Sequence, residues 1–302
     1  MARAPAAKPA ESREEKEQLP AVTPQHTGAL QVPDWMKADA GKGLEGLDSS
    51  DYEIPRIKLL QGLSSEVKER DDTRAGWFFH TTAEICFKEP FRAVPLFIDR
   101  RFILWRPLDD GGGILARADD GVHWVPANAE FDVKLDKKDG GKRVKWKTAR
   151  TVKESGLAEW GTHNPEDMTS SPAATFMLNY VLAFPDFPYV PPAVFTFQRT
   201  SVRNGRNLNS KILVASSRVP IFGMVFKFNA YEDTNSSGQK FFNCQAVADG
   251  LLQDEKLYGD YSTLHEHFRN TGINIKDADS LQGDEPGGEE PAHRVRADAP
   301  DY

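Results

Sequence analysis

Cationic and aromatic side chains are interleaved between Val190 and Tyr231, and this stretch has the clearest potential for chemistry. It contains no Asp or Glu, although the whole chain holds 45 of them. Its cations are Arg199, Arg203, Arg206, Lys211, Arg218 and Lys227. Proteins bind single-stranded nucleic acid with cations that follow the phosphates and with rings that stack on bases. The stretch therefore predicts a nucleic-acid-binding surface on a chain whose net charge is -7.

The rings that could stack on bases are phenylalanines at alternate positions of predicted strands. The candidates are Phe197, Phe226 and Phe228, with Phe195, Phe241 and Phe242 as further possibilities. A period of two is also typical of a strand that turns one face toward a core. The sequence leaves open which of these rings are exposed.

A second basic segment, from Lys134 to Lys153, holds nine Lys or Arg residues and two Asp residues. Gly140 and Gly141 follow Asp139 and predict the turn of a β-hairpin. We expect a basic two-stranded arm beside the first surface. Its candidate nucleic-acid-binding residues are Lys142, Arg143, Lys145, Trp146 and Lys147.

Catalytic signatures are absent from the sequence. It has no phosphate-binding glycine loop followed by Lys and no nucleophile elbow. Cys86 and Cys244 alone cannot build a structural zinc site. We therefore expect a protein that is not an enzyme and needs no cofactor or metal. One alternative is a magnesium-dependent nuclease, since carboxylates suit that ion; its acids would be Asp109, Asp110, Asp119 and Asp120, which also flank predicted turns.

Short β-prone segments must position these residues. We predict strands on both sides of Asp99-Arg100, at Ala193–Gln198, at Val219–Tyr231 and at Lys240–Ala248, with a helix at Thr200–Leu213 and helical character near Tyr261–Phe268. The fold class is mostly β (α+β). An OB-like antiparallel barrel with a basic hairpin arm fits this order, and a sandwich remains an alternative.

Composition divides the chain into three parts. Residues 1–50 are polar and rich in Ala, Pro and Glu, and residues 269–302 form an acidic tail with Gly and Pro; both are predicted to be disordered. Residues 51–268 are predicted to be one β-rich nucleic-acid-binding domain. The tail could compete for the cationic surface or dock on replication or recombination proteins. No apolar run is long enough for a membrane helix and no signal core precedes the body, so a soluble cytoplasmic protein without membrane contact is expected.

Several segments together resemble a bacteriophage-encoded family. They are Tyr52–Gln61, Gly76–Phe78, Pro95–Phe97, Thr196–Ile212, Pro220–Phe228 and Gly238–Gly250. The family is found in replication and recombination gene neighbourhoods, and its members are commonly treated as single-stranded DNA-binding proteins. The resemblance covers about residues 51–252 in patches and includes no catalytic motif. It implies an OB-like fold and a role in phage DNA metabolism, in the host cell cytoplasm.

These observations predict sequence-tolerant binding and protection of single-stranded DNA in phage replication or recombination. The alternative is a phage structural or assembly protein, in which the β-rich body packs into a homo-oligomer. A metal-dependent nuclease is the third hypothesis.

Overall fold

The computed structural model describes residues 42–43, 55–88, 90–234 and 238–273. The chain divides into two compact units, Met1–Glu45 and Gly46–Tyr302. The segment 1–50, apart from residues 42 and 43, and the acidic tail from residue 274 onward lie outside the described residues. The turn expected at residues 235–238 also lies mostly outside them.

Strands dominate the described part of the chain. The strands are β1 (Ile57–Leu59), β2 (Phe78–His80), β3 (Ile85–Phe87), β4 (Phe91–Trp105), β5 (Ile114–Ala118), β6 (Glu130–Lys134), β7 (Arg143–Lys147), β8 (Ala174–Ala183), β9 (Ala193–Gln198), β10 (Met224–Thr234) and β11 (Lys240–Leu251). The α-helices are α1 (Ser65–Glu69), α2 (Val152–Ser155), α3 (Val202–Ser216) and α4 (Glu255–Thr271). The mostly β fold class is confirmed.

One six-stranded antiparallel sheet organises the body. Its order is β11-β10-β4-β8-β9, and β5 also pairs with β4. Strands β1, β2 and β3 form a small separate sheet, and β6 with β7 forms a hairpin. The hairpin lies where the glycine turn predicted it, because its signal is local. Strand β9 and helix α3 also match the predicted segments closely.

Strand β4 is a single strand of 15 residues, so the strand character predicted on both sides of Asp99-Arg100 continues through that pair. A charged pair interrupts an apolar pattern in the sequence without interrupting the strand. The Arg101 side chain is buried and donates from Nε to the Asp99 carboxylate, and its guanidinium also donates to the Ile273 carbonyl oxygen. Because the buried charge is paired and hydrogen-bonded, the strand tolerates it.

The large sheet does not close into a barrel in the described residues, which corrects the predicted OB-like barrel. The outer edge of β11 meets a side chain rather than another strand. The Gln61 amide donates to the Phe242 carbonyl oxygen over 2.9 Å and accepts from the Phe242 backbone amide over 2.8 Å. One glutamine thus replaces a pair of strand hydrogen bonds at this edge.

Helix α3 occupies the next positions along the same edge. Asn204 donates to the Cys244 carbonyl oxygen over 2.8 Å, and the Lys211 ammonium donates to the Ala246 carbonyl oxygen over 2.6 Å. Edge strands expose unpaired backbone groups that promote association, and side chains that cover them prevent it. The helix therefore blocks strand addition where barrel closure would need it.

Two core clusters lie on one face of the large sheet. The first lies beneath α3 and the small sheet and includes Leu178, Tyr180, Phe195, Phe197, Leu208, Phe226 and Phe228. The second lies beneath the β6–β7 hairpin and includes Leu104, Ala116, Trp124, Val133, Trp146 and Ala174. Along β8, Ala174 belongs to the second cluster and Leu178 to the first, so the two clusters meet near Phe176.

A third cluster covers the opposite face of the sheet. It includes Val94, Leu96, Val181, Val225 and Tyr261, with Leu257 and Leu264 of α4 packed against it. Helix α4 thus shields one face, whereas α3 and the hairpin share the other. The sheet surface is least covered at the boundary between α3 and the hairpin, where Phe102 and Phe176 are half-buried.

Gly205 sets how closely α3 approaches the sheet. A Cβ atom at this position would lie 3.0 Å from Leu178 Cδ1 and 3.0 Å from Phe197 Cβ. Alanine is favoured over glycine inside helices by about 1 kcal/mol, but overpacking a core costs about 1–3 kcal/mol. We expect Gly205→Ala to lower the free energy of unfolding by about 1 kcal/mol in a urea titration. Asn207→Ala, on the exposed side of the same helix, is the control and should not be destabilising.

His80 makes folding stability depend on pH. The Ala83 amide donates to Nδ1 over 3.0 Å, so Nε2 carries the proton and donates to the Pro191 carbonyl oxygen over 3.0 Å. Burial disfavours the charged ring and lowers the pKa of His80 below its ordinary 6.5. On acidification below about pH 6.5, the His80 ring therefore binds a proton more readily in the unfolded chain than in the folded chain.

We expect the His80 contribution to be complete above that pH and to be lost on acidification, by at most about 1.4 kcal/mol per pH unit. Urea titrations between pH 7 and pH 5 should show a smaller slope for His80→Gln than for the wild type. A position without a titratable group provides the control, since Asn207→Ala should leave the slope unchanged. Equal slopes for the wild type and His80→Gln would contradict this assignment.

Candidate nucleic-acid interface

The predicted stacking rings of β9 and β10 are core residues. Phe197 and Phe228 are 0% exposed and Phe226 is 2% exposed. Phe195 packs edge-on against Phe197, with ring centroids 4.9 Å apart, inside the same cluster. The expectation that these rings meet bases is corrected, because stacking would require the core to open.

Trp146 of the hairpin is buried as well. Its ring lies in the second core cluster, and its Nε1 donates to the His163 carbonyl oxygen over 3.3 Å. The alternation of β7 turns Val144 and Trp146 inward and Arg143, Lys145 and Lys147 outward. Trp146 therefore anchors the arm and is unavailable to a base.

The outward face of the hairpin is a set of ion pairs rather than a free cationic surface. Glu130 lies 2.9 Å from the Lys145 ammonium and 2.7 Å from that of Lys147, and Arg143 lies 3.3 Å from Asp132. Hydrogen bonds from these lysines lower the pKa of Glu130 to about 2. The basic segment was counted from Lys134, and its neutralising acids lie just before that residue on β6.

The remaining predicted cations do not share one surface. Lys142 pairs with Glu166, and Lys211 is held by the carbonyl of Ala246. Lys227 alternates with the inward-facing Phe226 and Phe228, so its side chain lies on the opposite face of the sheet from α3. The predicted groove that joins all of them is not formed.

Two predicted arginines remain on an open surface. Arg203 and Arg206 are exposed and lie one helical turn apart on α3, which carries no acidic residue. Within the described residues, neither of them forms an ion pair with a carboxylate. Arg199 precedes the helix with a left-handed φ of 49° and has interactions of its own.

Arg206 meets a second arginine at a half-buried aromatic ring. Its guanidinium lies 5.7 Å from the centroid of Phe176, and that of Arg100 also lies 5.7 Å from it. The ring of Phe102 lies 5.0 Å from Phe176 at an interplanar angle of 44°. We call Arg100, Arg206, Phe102 and Phe176 the arginine–phenylalanine cluster. Cations near a ring face are attracted by its quadrupole, so this geometry is stable without a carboxylate.

Sheet register assembles this cluster at the boundary between two core clusters. In the pairing of β4 with β8, Phe102 lies opposite Phe176 and Arg100 lies opposite Leu178, so these four strand side chains share one sheet face. Arg206 reaches Phe176 on that face from α3. Phe102 packs against the second core cluster and Phe176 against the first. Both rings are only half-buried because neither α3 nor the hairpin covers this point completely.

Arg100, Phe102 and Phe176 were not among the residues predicted from the sequence to bind nucleic acid. Arg100 and Phe102 share a strand face by their spacing of two, which was visible in the sequence. No role was predicted for either residue, and Phe176 lies between a segment assigned to turns and the following apolar run. Only the pairing of β4 with β8 brings them together.

Each of the four candidate metal-binding aspartates forms ion pairs or accepts hydrogen bonds from other protein groups. Asp110 pairs with Arg106 at 3.0 Å, and Asp119 with Arg101 and Arg117. Asp120 accepts from the backbone amides of Val122 and His123, and Asp109 accepts from the amide of Lys137. No group of three or more His, Cys, Asp or Glu side chains that could hold a metal ion occurs in the described residues. Among those residues, no helix is long and apolar enough to span a membrane.

Comparison with known families shows where the chain belongs. A family model described as Pam3 phage gp34-like protein matches residues 25–274, which is most of the 302-residue chain. The chain belongs to the Pam3 phage gp34-like family. This membership indicates a phage protein and confirms the phage origin that the sequence resemblance implied. Comparisons with curated proteins and with solved structures found no match.

Proposed function

We propose that this phage protein binds single-stranded DNA without strong sequence preference and has no catalytic activity. The arginine–phenylalanine cluster is the observation that carries the proposal. Two guanidiniums that have no carboxylate partner among the described residues meet at two half-buried rings, beside the further cation Arg203. This combination supplies both contacts that single strands need, a charge for the phosphate and a ring for the base.

The position of the rings favours a single strand over a duplex. Phe102 and Phe176 are half-buried between the coverings formed by α3 and the hairpin, and we infer that an unpaired base reaches them more readily than a stacked base pair does. The cations are few, so the salt dependence should be moderate. The proposal does not require an OB barrel, since the site is on an open antiparallel sheet beside a helix. Protection of single strands during phage replication or recombination is the corresponding role.

The acidic tail enters this proposal as a competitor. Residues 274–302 carry eight acidic and three basic residues. Such a segment can compete with DNA for Arg100, Arg203 and Arg206, or can dock on replication and recombination proteins. Either interaction weakens as salt screens the charges.

Fluorescence anisotropy of labelled oligo(dT) at two salt concentrations tests the proposal. We expect saturable binding at low salt, weaker binding at higher salt, and weaker binding to a duplex of equal length. Absence of any anisotropy change at low salt would overturn the proposed function.

A phage structural or assembly role is the second candidate. The exposed apolar side chains Leu213, Val214, Trp160 and Met168 favour it, since large exposed apolar groups mark interaction surfaces when they are grouped. Light scattering separates the two candidates. A closed oligomer that fails to bind oligo(dT) supports the structural role, whereas DNA binding supports the first proposal.

A further inference from the structure

The C-terminal half of α3 exposes two apolar side chains, and an exposed arginine follows the helix. Leu213 is 74% exposed and Val214 is 81% exposed, although both lie within a helix whose other side is buried. Arg218 follows them on the surface. We call these three residues the basic patch.

A second apolar patch lies on the loop between α2 and β8. Trp160 is 47% exposed and Met168 is 77% exposed. Their backbones are adjacent, because the Gly161 amide donates to the Ser170 carbonyl oxygen and a Cβ atom on Gly161 would lie 3.1 Å from Met168 Cα. The loop also exposes Glu159 and Asp167, which form no ion pair within the described residues, whereas the neighbouring Glu166 is paired with Lys142. We call Trp160, Met168, Glu159 and Asp167 the acidic patch.

Charge is segregated between the two patches along the chain. No Lys or Arg occurs between Lys153 and Arg199, and no Asp or Glu occurs between Asp186 and Glu232. The acidic patch belongs to the first interval and the basic patch to the second. Complementary potentials favour an encounter between such surfaces and disfavour pairing of either one with itself.

The two patches lie over different core clusters of the same sheet face. The loop packs on the second core cluster through Leu157, whereas the end of α3 packs on the first through Ile212. Arg206 stands over Phe176 between them, and Leu213 is about 10 Å further along the helix at 1.5 Å per residue. One molecule therefore offers the two complementary surfaces at separate places.

We propose that the protein associates head to tail with a second copy of itself, the basic patch of one protomer docking on the acidic patch of the next. Such a heterologous contact leaves one patch free at each end, so association continues into open chains or closes into rings. Few apolar side chains are buried at each contact, so association is weak and concentration-dependent. The outer edge of β11 does not contribute where Gln61 and α3 cover it.

This association is independent of DNA binding, but its consequence for DNA rests on the proposed function. The arginine–phenylalanine cluster lies between the two patches in each protomer. Head-to-tail contacts then arrange the arginine–phenylalanine clusters of successive protomers in one row. A single strand bound by one protomer would continue to the next.

Sedimentation velocity without DNA tests the proposal, from micromolar to several hundred micromolar protein. The wild type should sediment faster as concentration rises, beyond a dimer. Leu213→Ser/Val214→Ser should remain monomeric, and so should Trp160→Ser/Met168→Ser. An equimolar mixture of the two variants should form dimers and nothing larger, because each retains the patch that the other lacks.

Charge reversal provides a second pair of variants that leaves the apolar residues intact. Arg218→Glu and Glu159→Lys should each weaken self-association, and mixing them should restore it, because the two reversed charges are again opposite in sign. A wild type that is monomeric throughout overturns the proposal, as does an acidic-patch variant that associates like the wild type. No DNA is present, so neither result bears on oligo(dT) binding.

Discussion

The double variant Arg100→Ala/Arg206→Ala should bind oligo(dT) at least about 100-fold more weakly than the wild type at low salt. Hydrogen bonds to charged groups contribute about 1.5–3 kcal/mol, and each tenfold loss of affinity corresponds to about 1.4 kcal/mol. Both guanidiniums lie 5.7 Å from the Phe176 ring without a carboxylate partner in the described residues. Removing two phosphate contacts should also flatten the plot of log K against log salt by about 1.4.

The hairpin provides a matched control for this loss of charge. Arg143→Ala/Lys145→Ala removes two positive charges that are already paired with Asp132 and Glu130. We expect a small change in affinity and in salt slope. Equal losses for the two double variants would show that net charge, and not the arginine–phenylalanine cluster, governs binding. Circular dichroism should establish that both variants remain folded.

Phe176→Leu should weaken binding to oligo(dT) by about 1–3 kcal/mol, the range for removal of one base-stacking ring. Leucine keeps the apolar contacts with the first core cluster and removes only the flat face. The affinity loss should persist at higher salt, since stacking involves no counterion release. Anisotropy titrations at two salt concentrations measure both properties.

Phe97 provides the control for this substitution. It is a half-buried phenylalanine on the opposite face of the sheet, packed against the third core cluster. Phe97→Leu should cost similar stability and leave DNA affinity unchanged. If both substitutions reduce affinity equally, the effect follows from stability and the ring of Phe176 has no contact with DNA.

Local signals predicted the elements that depend on neighbouring residues. The glycines after Asp139 specified the β6–β7 hairpin, and alternation specified β9. The helix after β9 was expected at Thr200–Leu213 and begins at Val202. In each of these, turn chemistry or periodicity within a few residues decides the structure.

Contacts between distant segments decided what could not be predicted. Alternation in β10 shows that Phe226 and Phe228 share a face, but only the packing of α3 makes that face the core. The barrel was not formed because Gln61 and α3 occupy the edge of β11, and nothing in the local sequence marks Gln61 for this role. The cluster of Arg100 and Phe176 likewise exists only through the register of β4 with β8.

Charge counting failed in a way that has a physical reason. A window along the chain counts neighbours in sequence, whereas a hairpin pairs each residue with a partner on the other strand. Lys145 and Lys147 meet Glu130 across that pairing. The window from Lys134 therefore overestimated the free positive charge. Arg203 and Arg206 remain unpaired with carboxylates in the described residues, since the helix and its neighbours in sequence contain no acidic residue.

Ultraviolet cross-linking of the wild-type protein to oligo(dT), followed by sequencing of the cross-linked peptides, tests the central claim most directly. Cross-links form where a base stacks on a side chain, so they report the ring and not merely the charge. We predict cross-links at Phe176 or Phe102, lost on addition of excess unlabelled oligo(dT). Cross-links confined to residues outside the arginine–phenylalanine cluster would contradict the assignment of this site.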